Sequence, residues 1–437
     1  MPAFEPVRYA ALTDVGVKRS HNQDACAAQP AVDATGYAAS GHVFVVADGM
    51  GGHAVGEKAS AKAVRDIPFL YLKYAKEGPL PAIRKAFVET NAGIHAIGQE
   101  NPEFRGLGTT STAIVLRPEG AWVGHVGDSR CYRIREGQAE QLTFDHSWVW
   151  EIARRQGVDP DELGEYKKNV IIRSLGPDPE VEVDVEGPYP LQPGDAFLLC
   201  SDGLTGVVTP QEIGAVVTAM PSDEAARLLV HMANLRGGPD NITVLIVRVP
   251  GGETPGEPAK KPAKASGFSK LLAAWGRAVP WPYTALGAGS LLALLSLMMH
   301  LGQTTGSIPL FLLSAVVILA GLIGLIFDMK KEPGDSANAG EDTARTLNVY
   351  KKHDCTITPV LAEKFAHLEA ALAEGMKSQN IPADWDAHDK LALAASNADR
   401  VTGFRVRCES LLFLAEAFHK SRHKTESFRP NFRPPGG

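Results

Sequence analysis

A set of aspartates beside glycine or asparagine, at the ends of hydrophobic runs, constrains this chain more than any other feature. They are Asp48 in VFVVADGMGGH, Asp128 in WVGHVGDSR, Asp202 in FLLCSDGL and Asp240 in GGPDNITVLIV, and Asp24 in KRSHNQDA belongs with them. An apolar, β-branched run that stops at Asp-Gly leaves a carboxylate at a sheet edge and a backbone carbonyl free in the turn. Several such edges meeting in space make an oxygen-rich cage for hard divalent cations. One Asp-Gly pair is ordinarily only a turn. Four acids at strand ends within one segment are a stronger signal.

The chemistry follows from the residue types. The two oxygens of Asp48 suit it to bridge a pair of ions, and Gly49 lets its own carbonyl approach one of them without a Cβ clash. Asp202 and Asp240 supply single carboxylates from two further strand edges. Two divalent ions roughly 3.5–4 Å apart activate water for in-line attack at phosphorus. All-oxygen ligation favours Mg2+ or Mn2+ over zinc. Asp24 is expected to orient the cluster, directly or through water. Arg19 offers a forked guanidinium suited to phosphate oxygens, against the plainer reading of a solvated surface charge.

At 437 residues the chain exceeds one ordinary core, so two or more domains are expected. A net charge of −6 argues against a chain-wide nucleic-acid surface. The five cysteines contain no CxxC pair, which predicts reduced thiols and no thiolate zinc site. The N-terminus lacks the pattern of a signal peptide. Two uncharged runs, 283–301 and 308–327, each approach the length needed to span a bilayer. Lys260, Lys261, Lys264, Lys270 and Arg277 precede the first run, and Lys330 and Lys331 follow the second. The positive-inside rule then predicts a hairpin in the plasma (inner) membrane with both flanking domains cytoplasmic and the lipid bilayer as a partner. A buried helical hairpin is the alternative.

Organisation along the chain is expected as follows. Residues 1–249 form a catalytic domain in which short strands (42–47, 111–117, 121–126, 131–135, 196–200, 242–249) mix with helices (56–74, 80–100, 210–219, 223–236). Two long helices in succession between strands indicate an α+β layered fold in place of a regular βαβ wind. A Pro/Gly/Lys-rich linker fills 250–267, an amphipathic juxtamembrane segment 268–282, the membrane hairpin 283–327 and a second linker 328–344. Helices are expected within 345–425, at 359–376 and at 389–418 with a break near Gly403. A disordered tail is expected at 426–437.

The series KRSHNQD, VVADGMGGHAVGEKAS, GLGTTSTAIVL, HVGDSRCYRIREG, LTFDHSWV, IIRSLG, LLCSDGLTGVV and GPDNITVLIV resembles the metal-dependent protein phosphatases of type 2C in their bacterial form, over about residues 8–249. The resemblance implies a four-layer α-β-β-α sandwich of two antiparallel sheets with metals in a channel at one end. It also implies hydrolysis of phosphoserine and phosphothreonine in proteins, with a serine/threonine kinase as counterpart. Carried over by position, Asp48 bridges two Mn2+ or Mg2+ ions, Gly49 gives its carbonyl to one, and Asp202 and Asp240 complete the pair. Asp128, sharing Asp202, holds a third, weaker ion. Arg19 contacts the substrate phosphate, Asp24 supports the ligands from behind, and residues between Trp148 and Ser174 form a flap over the site. Met50 stands where animal relatives carry a histidine proposed as general acid, which leaves the leaving oxygen to find its proton elsewhere, with His53 as one candidate. A catalytically silent phosphoprotein-binding scaffold is the rival reading.

Overall fold

The computed structural model describes residues 6–51, 56–104, 106–163, 170–251 and 348–421, with parts of 290–319. In chain order the elements are β1 (Arg8–Asp14), β2 (Asp24–Gln29), α1 (Ala34–Ser40), β3 (His42–Met50), α2 (Gly56–Tyr74), α3 (Pro79–Glu100), β4 (Gly108–Thr109), β5 (Ser111–Arg117), β6 (Gly120–Val126), β7 (Arg130–Arg135) and β8 (Gln138–Gln141). There follow α4 (Trp148–Gln156), β9 (Asp184–Tyr189), β10 (Ala196–Cys200), α5 (Asp202–Thr205), α6 (Pro210–Ala219), α7 (Ser222–Leu235), β11 (Ile242–Arg248), β12 (Lys351–Asp354), α8 (Pro359–Ser378), α9 (Trp385–Asn397) and α10 (Arg400–Ser421). One sheet runs β1-β11-β10-β7-β8-β12, and the other β2-β3-β5-β6-β9 with β4 paired to β3. Every pairing is antiparallel.

The central strands are apolar on both faces because both faces are covered. In β3, Val43, Val45 and Ala47 pack on α2 and α3, while Phe44 and Val46 turn into the space between the sheets. In β10, Leu198 and Cys200 join the core shared with α6 and α7, while Phe197 and Leu199 face the opposite sheet. The result is the helix-sheet-sheet-helix layering that strand alternation requires. Burial of each large apolar side chain contributes about 1.5–3 kcal/mol. α2 presents its buried stripe at helical spacing through Ala59, Ala63, Ile67 and Tyr71.

Residues 345–425, expected as a helical region, begin with a strand. β12 pairs in full register with β8, and Cys355, Phe365, Met376, Phe404, Cys408 and Leu411 lie in the same apolar core as α6, α7 and β10. Residues 1–257 and 344–437 accordingly form one compact unit, and 258–343 a second. The helix break falls at Ala398–Asp399, between α9 and α10, and not at Gly403. Gly403 instead permits close packing, because a Cβ there would lie 2.6 Å from the Ala395 carbonyl.

The expected transmembrane hairpin is overturned. Among the described residues no helix is long and apolar enough to cross a membrane, so the two-span, membrane-embedded location has no support. Most of 283–327 lies outside the described residues, as do His53, 164–169, most of both linkers, the 268–282 segment and 426–437.

Candidate metal centre

Antiparallel pairing brings the end of one strand beside the start of its neighbour, and this gathers the aspartates. β10 runs into Asp202, β7 starts just after Asp128, and β11 starts just after Asp240. These three strands are adjacent, with Cys200 opposite both Arg130 and Val244. In the other sheet, Asp24 at the start of β2 lies directly opposite Asp48 near the end of β3. All five acids therefore sit at one end of the sandwich.

Asp48 is held through its backbone and Asp24 by buried hydroxyls. The Asp48 amide donates to Thr110 Oγ1 (3.0 Å), and its carbonyl accepts from Thr109 Oγ1 (2.9 Å) and from the Thr110 amide (2.8 Å). Gly49 donates its amide to the Gln23 carbonyl at 3.0 Å. A Cβ on Gly49 would lie 2.2 Å from the Gly56 carbonyl oxygen and 2.6 Å from that of Gln23, so only glycine fits where α2 meets the turn. Asp24 Oδ2 accepts from Ser201 Oγ (2.6 Å) and Thr243 Oγ1 (2.8 Å). The Asn241 side chain accepts from the Gln23 amide and donates to the Val15 and His21 carbonyls, tying the Asp240 turn to the segment that carries Arg19. Arg19 reaches Asp240 Oδ2 at 2.7 Å, with half of its side chain exposed.

The electrostatics is that of a site short of positive charge. Burial, then the neighbouring charges of Asp24, Asp202, Asp128 and Asp240, raises Asp48 well above the usual carboxylate range. Burial likewise raises Asp24, Asp128 and Asp202, with Asp202 adding repulsion at the first two and Asp240 at the third. Asp24 Oδ1, Asp128 Oδ1 and Asp202 Oδ1 are buried without a hydrogen-bond partner. Such oxygens need either protons or cations. Among the described residues no three acidic, histidine or cysteine side chains converge into a ready-made cage around one ion. Side chains are only part of an oxygen ligand set, however, and carbonyls such as that of Gly49, together with water, ordinarily supply the rest. The residues fit a divalent cation on that basis.

Met50 closes β3 and carries no titratable proton. Burial pushes the Cys200 thiol up to about 12, so it is no nucleophile. His125 is held neutral by burial, bonded to Thr112 and to the Phe144 carbonyl. His146 Nδ1 accepts from the Gly127 amide at 3.0 Å, fixing the turn that carries Asp128. Sequence reasoning missed Ser201 and Thr243 as partners of Asp24. Their signal was a hydroxyl interrupting an otherwise apolar, fully buried stretch.

The model of the family described as Protein phosphatase 2C matches residues 17–229. Protein phosphatase PhpP of Streptococcus pneumoniae is 37% identical over 242 residues, which span 54% of this chain and 95% of that protein. The crystal structure of serine/threonine phosphatase Stp1 from Staphylococcus aureus superposes with a TM-score of 0.51 at 26% identity, covering 57% of this chain and 98% of that one. The catalytic domain of the serine/threonine protein phosphatase PstP, solved in complex with 2 manganese ions, is 31% identical with a TM-score of 0.47, covering 56% of this chain and 99% of that one.

Proposed function

The chain belongs to the protein phosphatase 2C family and is a protein-serine/threonine phosphatase, and from that premise we propose how its own residues divide the work. Phosphatases of this family use Mn2+ or Mg2+. Asp48, the Gly49 carbonyl, Asp202 and Asp240 are the groups to hold two such ions, and Asp128 with Asp202 a third. When bound, the ions activate water for attack at phosphorus and offset charge on the phosphoryl oxygens.

The protein's part is to hold and orient. Thr109 and Thr110 fix the Asp48 backbone, and Ser201 and Thr243 fix Asp24 behind it. Arg19, already at the rim and paired with Asp240, binds the substrate phosphate through its exposed fork. Position 50 supplies no acid, so the leaving seryl or threonyl oxygen takes its proton from water or from another side chain. Phosphorylated proteins are the substrates, and a serine/threonine kinase is the expected counterpart.

The observation that carries this reading is the buried set of partnerless aspartate oxygens at one end of the sandwich. Asp48→Asn and Asp202→Asn test it in the full chain. Each is expected to lower Mn2+-dependent phosphate release from a phosphothreonine peptide by about 100-fold or more, with calorimetric Mn2+ binding weakened in parallel. Undiminished turnover in either variant would refute the assignment.

A further inference from the structure

The strand that opens the C-terminal region grips the segment expected to act as a flap. Lys351 Nζ lies 2.7 Å from Asp159 Oδ1 and 2.8 Å from Asp161 Oδ2, partners 192 and 190 residues away in sequence. Its ammonium also stands 5.2 Å from the ring centre of Trp150 in α4. The same ring takes the Arg130 guanidinium at 5.7 Å. Arg130 forks onto Asp145 at 2.7–3.0 Å. The next residue, His146, exchanges hydrogen bonds with Gly127, which precedes Asp128. Phe144 packs edge-on against both Trp150 (5.1 Å) and Tyr350 (5.6 Å). A contiguous chain of contacts thus runs from the C-terminal strand, through α4, to the turn that carries Asp128.

An exposed ion pair alone would mean little, since such pairs contribute about 0–1 kcal/mol. Lys351 is different in placement. Its side chain is only 13% exposed, it meets two carboxylates and an aromatic face together, and its backbone is fixed by the β12–β8 ladder. It therefore holds α4 and the turn at Pro160–Glu162 to the sheet from outside the catalytic region. Beyond this hold, Trp148, Val158, Val170 and Ile172 remain exposed, and the Trp148 amide bonds the Val170 carbonyl. Exposed apolar side chains of this kind suit contact with a polypeptide better than contact with a small aryl phosphate.

We propose that Lys351 is a positioning residue for protein substrates, through which the C-terminal extension sets the flap segment 148–163 against the Asp128 side of the site. The proposal rests on the phosphatase reading above. Lys351→Met and Lys351→Arg are compared in the full chain with Mn2+, using a phosphothreonine peptide and p-nitrophenyl phosphate as substrates. Amide hydrogen exchange across 148–163 is followed alongside. Lys351→Met is expected to speed exchange in that segment about tenfold. It should raise the peptide KM about three- to tenfold while kcat/KM for p-nitrophenyl phosphate stays within about twofold. Lys351→Arg should restore both readouts. Asp159→Asn/Asp161→Asn should reproduce the Met phenotype, with no further loss when Lys351→Met is added. Unchanged exchange and peptide KM in Lys351→Met would overturn the proposal, and so would an equal loss on both substrates that Arg does not restore. Should the unaltered chain hydrolyse neither substrate, the phosphatase reading fails, and the exchange data still decide whether Lys351 holds the segment.

Discussion

Gly214 makes the seating of the C-terminal region on the catalytic fold testable by a change of sign. It lies in the buried interior of α6 with ordinary helical backbone, where alanine should be the better residue by about 0.5–1 kcal/mol. A Cβ at this position would nevertheless lie 2.2 Å from Cys355 Sγ, 2.8 Å from Cys355 Cβ and 3.3 Å from Ala139 Cβ. Cys355 immediately follows β12 and is itself buried, with its amide bonded to the Gly137 carbonyl, so it cannot swing away freely. Overpacking of this kind costs about 1–3 kcal/mol. Set against the helix gain, Gly214→Ala should destabilise the intact chain by about 1–2 kcal/mol.

Cys355→Gly removes both clashing atoms. In that background Gly214→Ala should become stabilising by about 0.5–1 kcal/mol, while the cost of the Cys355 change itself cancels in the double-mutant cycle. Urea unfolding of the four proteins, followed by far-ultraviolet circular dichroism, measures the cycle directly. Should Gly214→Ala raise stability in the unaltered background, or lower it equally in both, Cys355 does not lie against α6 and the packing described above is wrong.

Two further predictions concern the buried polar groups. Burial alone would raise the Glu212 carboxyl, but hydrogen bonds from Arg236, then from Lys364 and the Thr209 amide, outweigh it and hold the group at about 2, against 4.5 when free. A depressed folded-state value means that stabilisation is fully present above about pH 4.5 and is lost as pH falls towards 2. Glu212→Gln should therefore flatten the acid limb of the urea-midpoint curve between pH 5 and 2.5, and an unflattened limb would refute the pairing. Thr243→Val removes one of the two hydroxyls bonded to Asp24 Oδ2. Calorimetry should show Mn2+ binding weakened by about tenfold, and unaltered affinity would show that the Thr243 hydroxyl takes no part in orienting the ligands through Asp24.

The acids were legible in the sequence because the chemistry that marks them is local: an apolar run, a carboxylate, a glycine. Asp48, Asp202 and Asp240 each announce a strand end within a few residues. What supports them was less legible. The direct opposition of Asp24 and Asp48 depends on the β2–β3 register, and β2 (DACAAQ) has too few branched residues to read as a strand. Ser201 and Thr243 become meaningful only once β10 and β11 are known to be neighbours. The paired uncharged runs at 283–301 and 308–327 suggested two spans, yet among the described residues no helix is long and apolar enough to cross a membrane.

The four residues of β12, Lys-Lys-His-Asp, carry no strand signal at all, and the need for a strand there arises from its partner. Without β12, β8 would be the outer strand of its sheet, with a row of unpaired amides and carbonyls beside Ala139, Glu140 and Gln141, all buried. An edge of that kind invites pairing with a second chain. Here the C-terminal region occupies it, with Lys352 paired to Glu140 at 2.9 Å and Tyr350 bonded through its amide to the Gln141 carbonyl. The same short strand that satisfies the edge also delivers Lys351 to the flap segment. Covering the sheet and positioning that segment are therefore one structural event, and a change that frees β12 should loosen both together.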